Sequence, residues 1–151
     1  MLPQTHFLFA FLLGLVGFKL AYLTLTQALI AGFVGMLIDL DHLFSFIIHK
    51  EFNLRKIWNE FLHHEHEGTI IHGWVGLILM TILLVVLGIF YLNLAIIIGI
   101  GYYTHFVLDL VYIKTSKKLV IKEPGFVMKI FYWELIFQAI CLILVIIAII
   151  R

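Results

Sequence analysis

The sequence is short of charge. Only 13% of its 151 residues are Asp, Glu, Lys or Arg, against 64% that are apolar. A soluble domain of this length needs a polar coat, and there is too little polar material to supply one. That excludes an ordinary water-soluble enzyme or binding module. Cysteine is almost absent. The single Cys141 cannot form an internal disulfide or a cysteine-based zinc motif, and its place inside an apolar run predicts a packing role. No Lys or Arg precedes Lys19, and no clear small-x-small cleavage site follows the first apolar stretch. The N-terminal segment is therefore expected to be a retained membrane helix rather than a removed signal. There is no repeat, low-complexity tract or second domain. The formal net charge of +1 says little by itself, and no nucleic-acid partner is predicted.

What the chain does have is long apolar runs. They predict an all-α, single transmembrane domain over residues 1–151, with five spans at about 2–22, 27–48, 69–91, 94–113 and 126–150. Each is close to the ~20 residues that cross a hydrocarbon core of ~30 Å. Pro3 suits the first turn of the first helix. Two connections, Leu23 to Thr26 and the neighbourhood of Asn93, are short enough to force antiparallel hairpins. The other two hold most of the basic residues: Lys50, Arg55 and Lys56 in one, Lys114, Lys117, Lys118 and Lys122 in the other. Positive-inside counting puts these loops and the N-terminus in the cytoplasm and the C-terminus outside. Within the first loop, Leu54, Ile57, Trp58, Phe61 and Leu62 recur at helical spacing, which predicts a short interfacial helix at about 51–62.

Ionisable residues inside spans are expensive, and here they are grouped. His6 lies near the start of the first span. Asp39, Asp41 and His42 lie in the second half of the second. His63, His64, Glu65, His66 and Glu67 precede the third, and His72 lies in its first turn. His105 and Asp109 lie late in the fourth. With the topology above, all of them fall in the cytoplasmic half of the membrane. His105 and Asp109, four apart, share a helix face, as do Asp39 and His42, three apart. Asp41 points roughly 100° away from His42, which leaves it to bridge a second metal, orient a histidine or bind nothing. Gly68 can break the helix so that His66 and His72 both turn inward. Imidazole and carboxylate together suit zinc, manganese or iron, and open coordination suits catalysis. More candidate ligands are present than one structural zinc uses, which favours two or more ions.

Thr5-His6, Asp39-Leu40-Asp41-His42, the box from His66-Glu67-Gly68 to His72, and His105-Phe106-Val107-Leu108-Asp109 occur in that order. In this the chain resembles the YdjM-like family of inner-membrane metal-dependent hydrolases, from the first span through the fourth. The scattered His and Asp pattern is similar to that of zinc-dependent phospholipase C and P1-type nucleases. The resemblance implies His6, Asp39, Asp41, His42, His66, His72, His105 and Asp109 as metal-site residues. One box departs from the family pattern: Glu67 stands where Arg is common, the spacing to His72 is one residue longer, and Gly73 follows. The missing Arg removes a fork of donors suited to phosphate; Lys50, Arg55 or Lys56 would have to serve as point charges. The choice of ligand among His63, His64 and His66 stays open.

The expected function is a metal-dependent hydrolase at the cytoplasmic face. It would act on a phosphodiester or ester, with a small-molecule or lipid substrate and membrane lipids as neighbours. Glu67 or Glu65 would serve as general base. The alternatives are a metal-ion or proton-coupled transporter, and a membrane protein whose metal only locks its helices.

Overall fold

A computed structural model of the chain describes residues 2–39, 73–119 and 126–150. These fold into helices with no strand among the described residues. In chain order they are α1 (Pro3–Lys19), α2 (Leu25–Leu37), α3 (Trp74–Phe90), α4 (Leu92–Leu119) and α5 (Phe126–Ile150). The interfacial helix expected at 51–62 lies outside the described residues.

Local sequence sets the breaks. Pro3 occupies the first turn of α1, where its missing N–H costs nothing. At the other end Tyr22 and Leu23 both donate backbone N–H to the Gly17 carbonyl, at 2.9 and 3.2 Å. Ala21 turns the chain in the left-handed region, at φ 60°. Thr24 then starts α2 through a reciprocal cap. Its Oγ1 accepts from Gln27 N–H at 3.2 Å, and its own N–H donates to Gln27 Oε1 at 2.8 Å. The first connection therefore runs from Leu20 to Thr24, a few residues earlier than the sequence alone suggests. The second hairpin breaks at Tyr91, between Phe90 and Leu92.

Close packing follows from small residues. A Cβ on Gly14 would sit 2.8 Å from the Ala28 Cα, and one on Gly101 would sit 2.9 Å from the Ala31 carbonyl oxygen. Gly14 thus brings α1 against α2, and Gly101 brings α4 against α2. Such contacts hold helices together in lipid, where apolar burial distinguishes one helix face poorly from another. Phe11, Leu15, Ala28 and Val145 form one buried cluster, and Leu23, Ala31 and Ile97 another. Helix α3 packs on α4 through Trp74 on Phe106, Thr81 hydrogen-bonded to Tyr103 at 2.8 Å, and Leu84 beside Gly99. Helix α5 lies against α1. Cys141 is buried on it, as its apolar setting predicts.

The exposed face of α3 is apolar. Val75, Ile78, Leu79, Ile82, Leu83 and Val85 of α3 are all exposed, a contiguous strip that water does not tolerate but lipid does. Among the described residues, two helices contain stretches long and apolar enough to cross a membrane, Leu92–Val111 in α4 and Trp133–Ile150 in α5. Helices α2 and α3 are apolar and shorter, with 13 and 17 residues. Helix α4 continues past the apolar stretch to Leu119. It therefore runs beyond the boundary at 113 that hydropathy suggests.

Candidate metal centre

Three helices deliver four ionisable side chains to one end of the bundle. His6 is the fourth residue of α1. Asp39 directly follows Ile38, the C-cap of α2. His105 and Asp109 lie one turn apart on α4. The hairpin between α1 and α2 places the start of one beside the end of the other, so His6 and Asp39 reach the same level. All four are buried, with 0, 2, 1 and 5% of their surface exposed in the order named.

The side chains point at one another. His105 Nε2 lies 3.0 Å from Asp109 Oδ2 and 3.6 Å from Asp39 Oδ1. His6 Nε2 lies 3.3 Å from Asp109 Oδ1 and 3.9 Å from Asp39 Oδ2. The two imidazoles stack, with centroids 4.0 Å apart. One donor atom from each residue falls within 4.8 Å of all the others. A cation held tetrahedrally at about 2.0–2.2 Å from four such atoms would set them about 3.3–3.6 Å apart. The four imidazole–carboxylate distances, taken to both oxygens of each carboxylate, run from 3.0 to 3.9 Å and straddle that range.

The tautomer of His105 sharpens the fit. Its Nδ1 lies 2.8 Å from the Gly35 carbonyl oxygen. A carbonyl only accepts, so Nδ1 donates the proton. In a neutral ring Nε2 then carries a lone pair, aimed at two carboxylates. A lone pair facing carboxylate oxygens is repulsive unless a proton or a metal cation stands between them. Donation of the far ring N–H to a backbone carbonyl is the usual support of a metal-ligating histidine. Charge leads to the same place. With both imidazoles neutral, the two carboxylates leave a buried charge of −2 next to the negative end of α2, which protons on the imidazoles or a divalent cation would offset. Such charge is tolerable only when paired, and the group is one that could hold a divalent cation.

Four of the eight ligand candidates named from the sequence thus come together: His6, Asp39, His105 and Asp109. Asp41, His42, His66 and His72 lie outside the described residues, as do His63, His64 and the candidate bases Glu65 and Glu67. The sequence reading places Asp39 within a helix running on to about 48, whereas α2 ends at Leu37. Near that end carbonyls run out of amides further along the helix, and the Gly35 carbonyl receives His105 instead. Sequence reasoning does not single out that carbonyl. Its trace is the run of small residues Ala28, Ala31, Gly32 and Gly35 along the buried face of α2, which marks close approach but not which donor arrives.

Comparison with curated proteins and with solved structures returned no match. A family model does match, over residues 1–149, nearly the whole sequence; it is described as YdjM inner membrane protein. On that coverage the chain belongs to the YdjM inner membrane protein family.

Proposed function

We propose that this protein is a membrane-bound hydrolase in which His6, Asp39, His105 and Asp109 hold a divalent cation, with zinc the best fit to two imidazoles and two carboxylates. The observation that carries the reading is the His105 ring, which gives its Nδ1 proton to Gly35 and turns Nε2 toward Asp39 and Asp109. When bound, such an ion supplies Lewis acidity and lowers the pKa of water toward ~7. The chain's own groups do the rest. Asp39 and Asp109 bring the negative charge that selects a cation. Gly35 fixes the orientation of one imidazole. The clusters around Leu15, Ala28 and Ala31 pack the bundle beneath the site and keep water from reaching it through the membrane core.

Further parts of the proposal rest on the sequence. The bundle has five spans, with the N-terminus cytoplasmic and the C-terminus outside. Asp41, His42, His66 and His72 complete the ligand set and provide for a second ion. Glu67 or Glu65 takes the proton from the attacking water. The substrate is a phosphodiester or ester, and a lipid headgroup is favoured by a site at the end of the apolar stretch of α4. A transport pathway is less favoured, because among the described residues the clusters packed beneath the quartet, around Leu15, Ala28 and Ala31, are apolar.

The test is a hydrolysis screen of the purified protein in detergent. Phosphodiester, carboxylic-ester and phospholipid substrates are supplied with zinc or manganese, to wild type and Asp39→Ala in parallel. Metal-dependent turnover in wild type alone supports the proposal. Wild-type protein that holds its metal and turns over none of the three classes contradicts the enzymatic reading and leaves a metal that only locks the helices.

A further inference from the structure

Glu134 belongs neither to the quartet nor to its carbonyl support. It is buried in an apolar helix, where a carboxylate needs a partner. Its Oε1 accepts from the backbone N–H of Leu2 at 2.5 Å and from the Thr5 hydroxyl at 2.7 Å. Gln138, one turn further along α5, donates Nε2–H to Thr5 Oγ1 at 2.7 Å. Leu2 is the N-cap of α1, and its side chain makes no capping hydrogen bond. The first turn of a helix leaves amides without intrahelical partners. Glu134 therefore caps α1 from a different helix, with its carboxylate at the positive end of the α1 dipole.

His6 sits in that same turn, directly after Thr5. Helix α1 is apolar around most of its circumference, so burial in lipid selects no particular rotation, and helix ends fray. A side-chain tip lies about 5–6 Å from the helix axis, so a rotation of about 10° carries it about 1 Å. Metal–ligand distances tolerate only about 0.2 Å. We infer that Glu134, Thr5 and Gln138 are positioning residues of the metal centre: they lock the first turn of α1 and set His6 against Asp39, His105 and Asp109. Helix α5 contributes no ligand among the described residues, yet it governs where one ligand stands. This inference rests on the quartet being a metal site.

The test is titration of the full-length protein in detergent with Co²⁺, whose visible absorption reports ligand geometry. Wild type is compared with Glu134→Gln, Glu134→Ala, Thr5→Ser and Thr5→Val. Glu134→Gln keeps an accepting oxygen and Thr5→Ser keeps the hydroxyl, so both retain the wild-type affinity and spectrum. Glu134→Ala and Thr5→Val lose about 10- to 100-fold in affinity, with an altered spectrum. Thr5→Val preserves side-chain shape, so misfolding of Glu134→Ala would not remove the test. If all four variants bind as wild type does, or if the Gln and Ser variants lose as much as the Ala and Val variants, the positioning role is overturned. Wild type that takes up no Co²⁺ overturns the reading of the quartet itself, and this inference with it.

Discussion

His6 of α1 and His105 of α4 stack with ring centroids 4.0 Å apart and planes inclined by 27°, and the Nε2 atom of each faces the carboxylates of Asp39 and Asp109. Neither ring is a bystander to the other. Displacing one opens space beside its neighbour, and each supplies one of four donor atoms to a common point.

Loss of either imidazole therefore removes a ligand and loosens the partner. Four-ligand zinc sites bind with about 10–16 kcal/mol in all, so one ligand accounts for on the order of 3 kcal/mol, or about 100-fold in affinity. His6→Ala and His105→Ala are each expected to weaken zinc binding by about that factor. Because the rings touch, the double variant should fall short of the product of the two effects. Calorimetric titration of the three variants measures this. Fully multiplicative losses would mean that the rings act independently.

The small residues that bring the helices together are a second point of leverage. A methyl group on Gly14 meets the Ala28 backbone at 2.8 Å, whereas one on Gly88 meets only the Ala95 Cβ, at 3.7 Å. Gly14→Ala is expected to cost about 1–3 kcal/mol by forcing α1 off α2. Gly88→Ala is expected to be neutral or to stabilise by up to about 1 kcal/mol, as alanine suits a helix interior better than glycine. Unfolding in detergent distinguishes the two. Equal tolerance at both positions would count against the close α1–α2 contact.

The turn between α1 and α2 carries a left-handed alanine, Ala21 at φ 60°. An L-residue with a Cβ pays for that conformation by about 1–2 kcal/mol, and glycine does not. Ala21→Gly is expected to raise stability by about 0.5–1 kcal/mol after the added entropy of the unfolded chain is counted. Ala21→Val should lower it. A shift of the thermal midpoint in the opposite order would show that the turn adopts another backbone path.

Legibility in the sequence followed the size of each energetic penalty. His6, Asp39, His105 and Asp109 stood out because charge and imidazole in an apolar run are costly without a shared purpose, and the structure brings those four together. Glu134 and Gln138 are polar residues within the fifth apolar run. Their partners are not legible there, since Leu2 lies 132 positions away and nothing local encodes which helix will pack there. The capping box at Thr24 and Gln27 is legible in the spacing, whereas hydropathy alone starts the second span at about 27, two residues after Leu25. The span expected at about 94–113 agrees with the apolar stretch Leu92–Val111 of α4, but hydropathy does not show where the helix ends. It marks where a helix leaves lipid, while the backbone stays helical through Lys114 and Lys117. The Gly35 carbonyl was beyond reach, because every residue has one and only the packing of α4 selects it.

The most direct measurement is the metal content of the purified protein in detergent, by elemental mass spectrometry, for wild type beside Asp39→Ala and His105→Ala. The quartet predicts at least one divalent ion per chain in wild type and its loss from both variants, each still helical by circular dichroism. A folded wild-type preparation that carries no zinc, manganese or iron and takes up none when supplied would contradict the central claim, as would variants that keep the full wild-type complement.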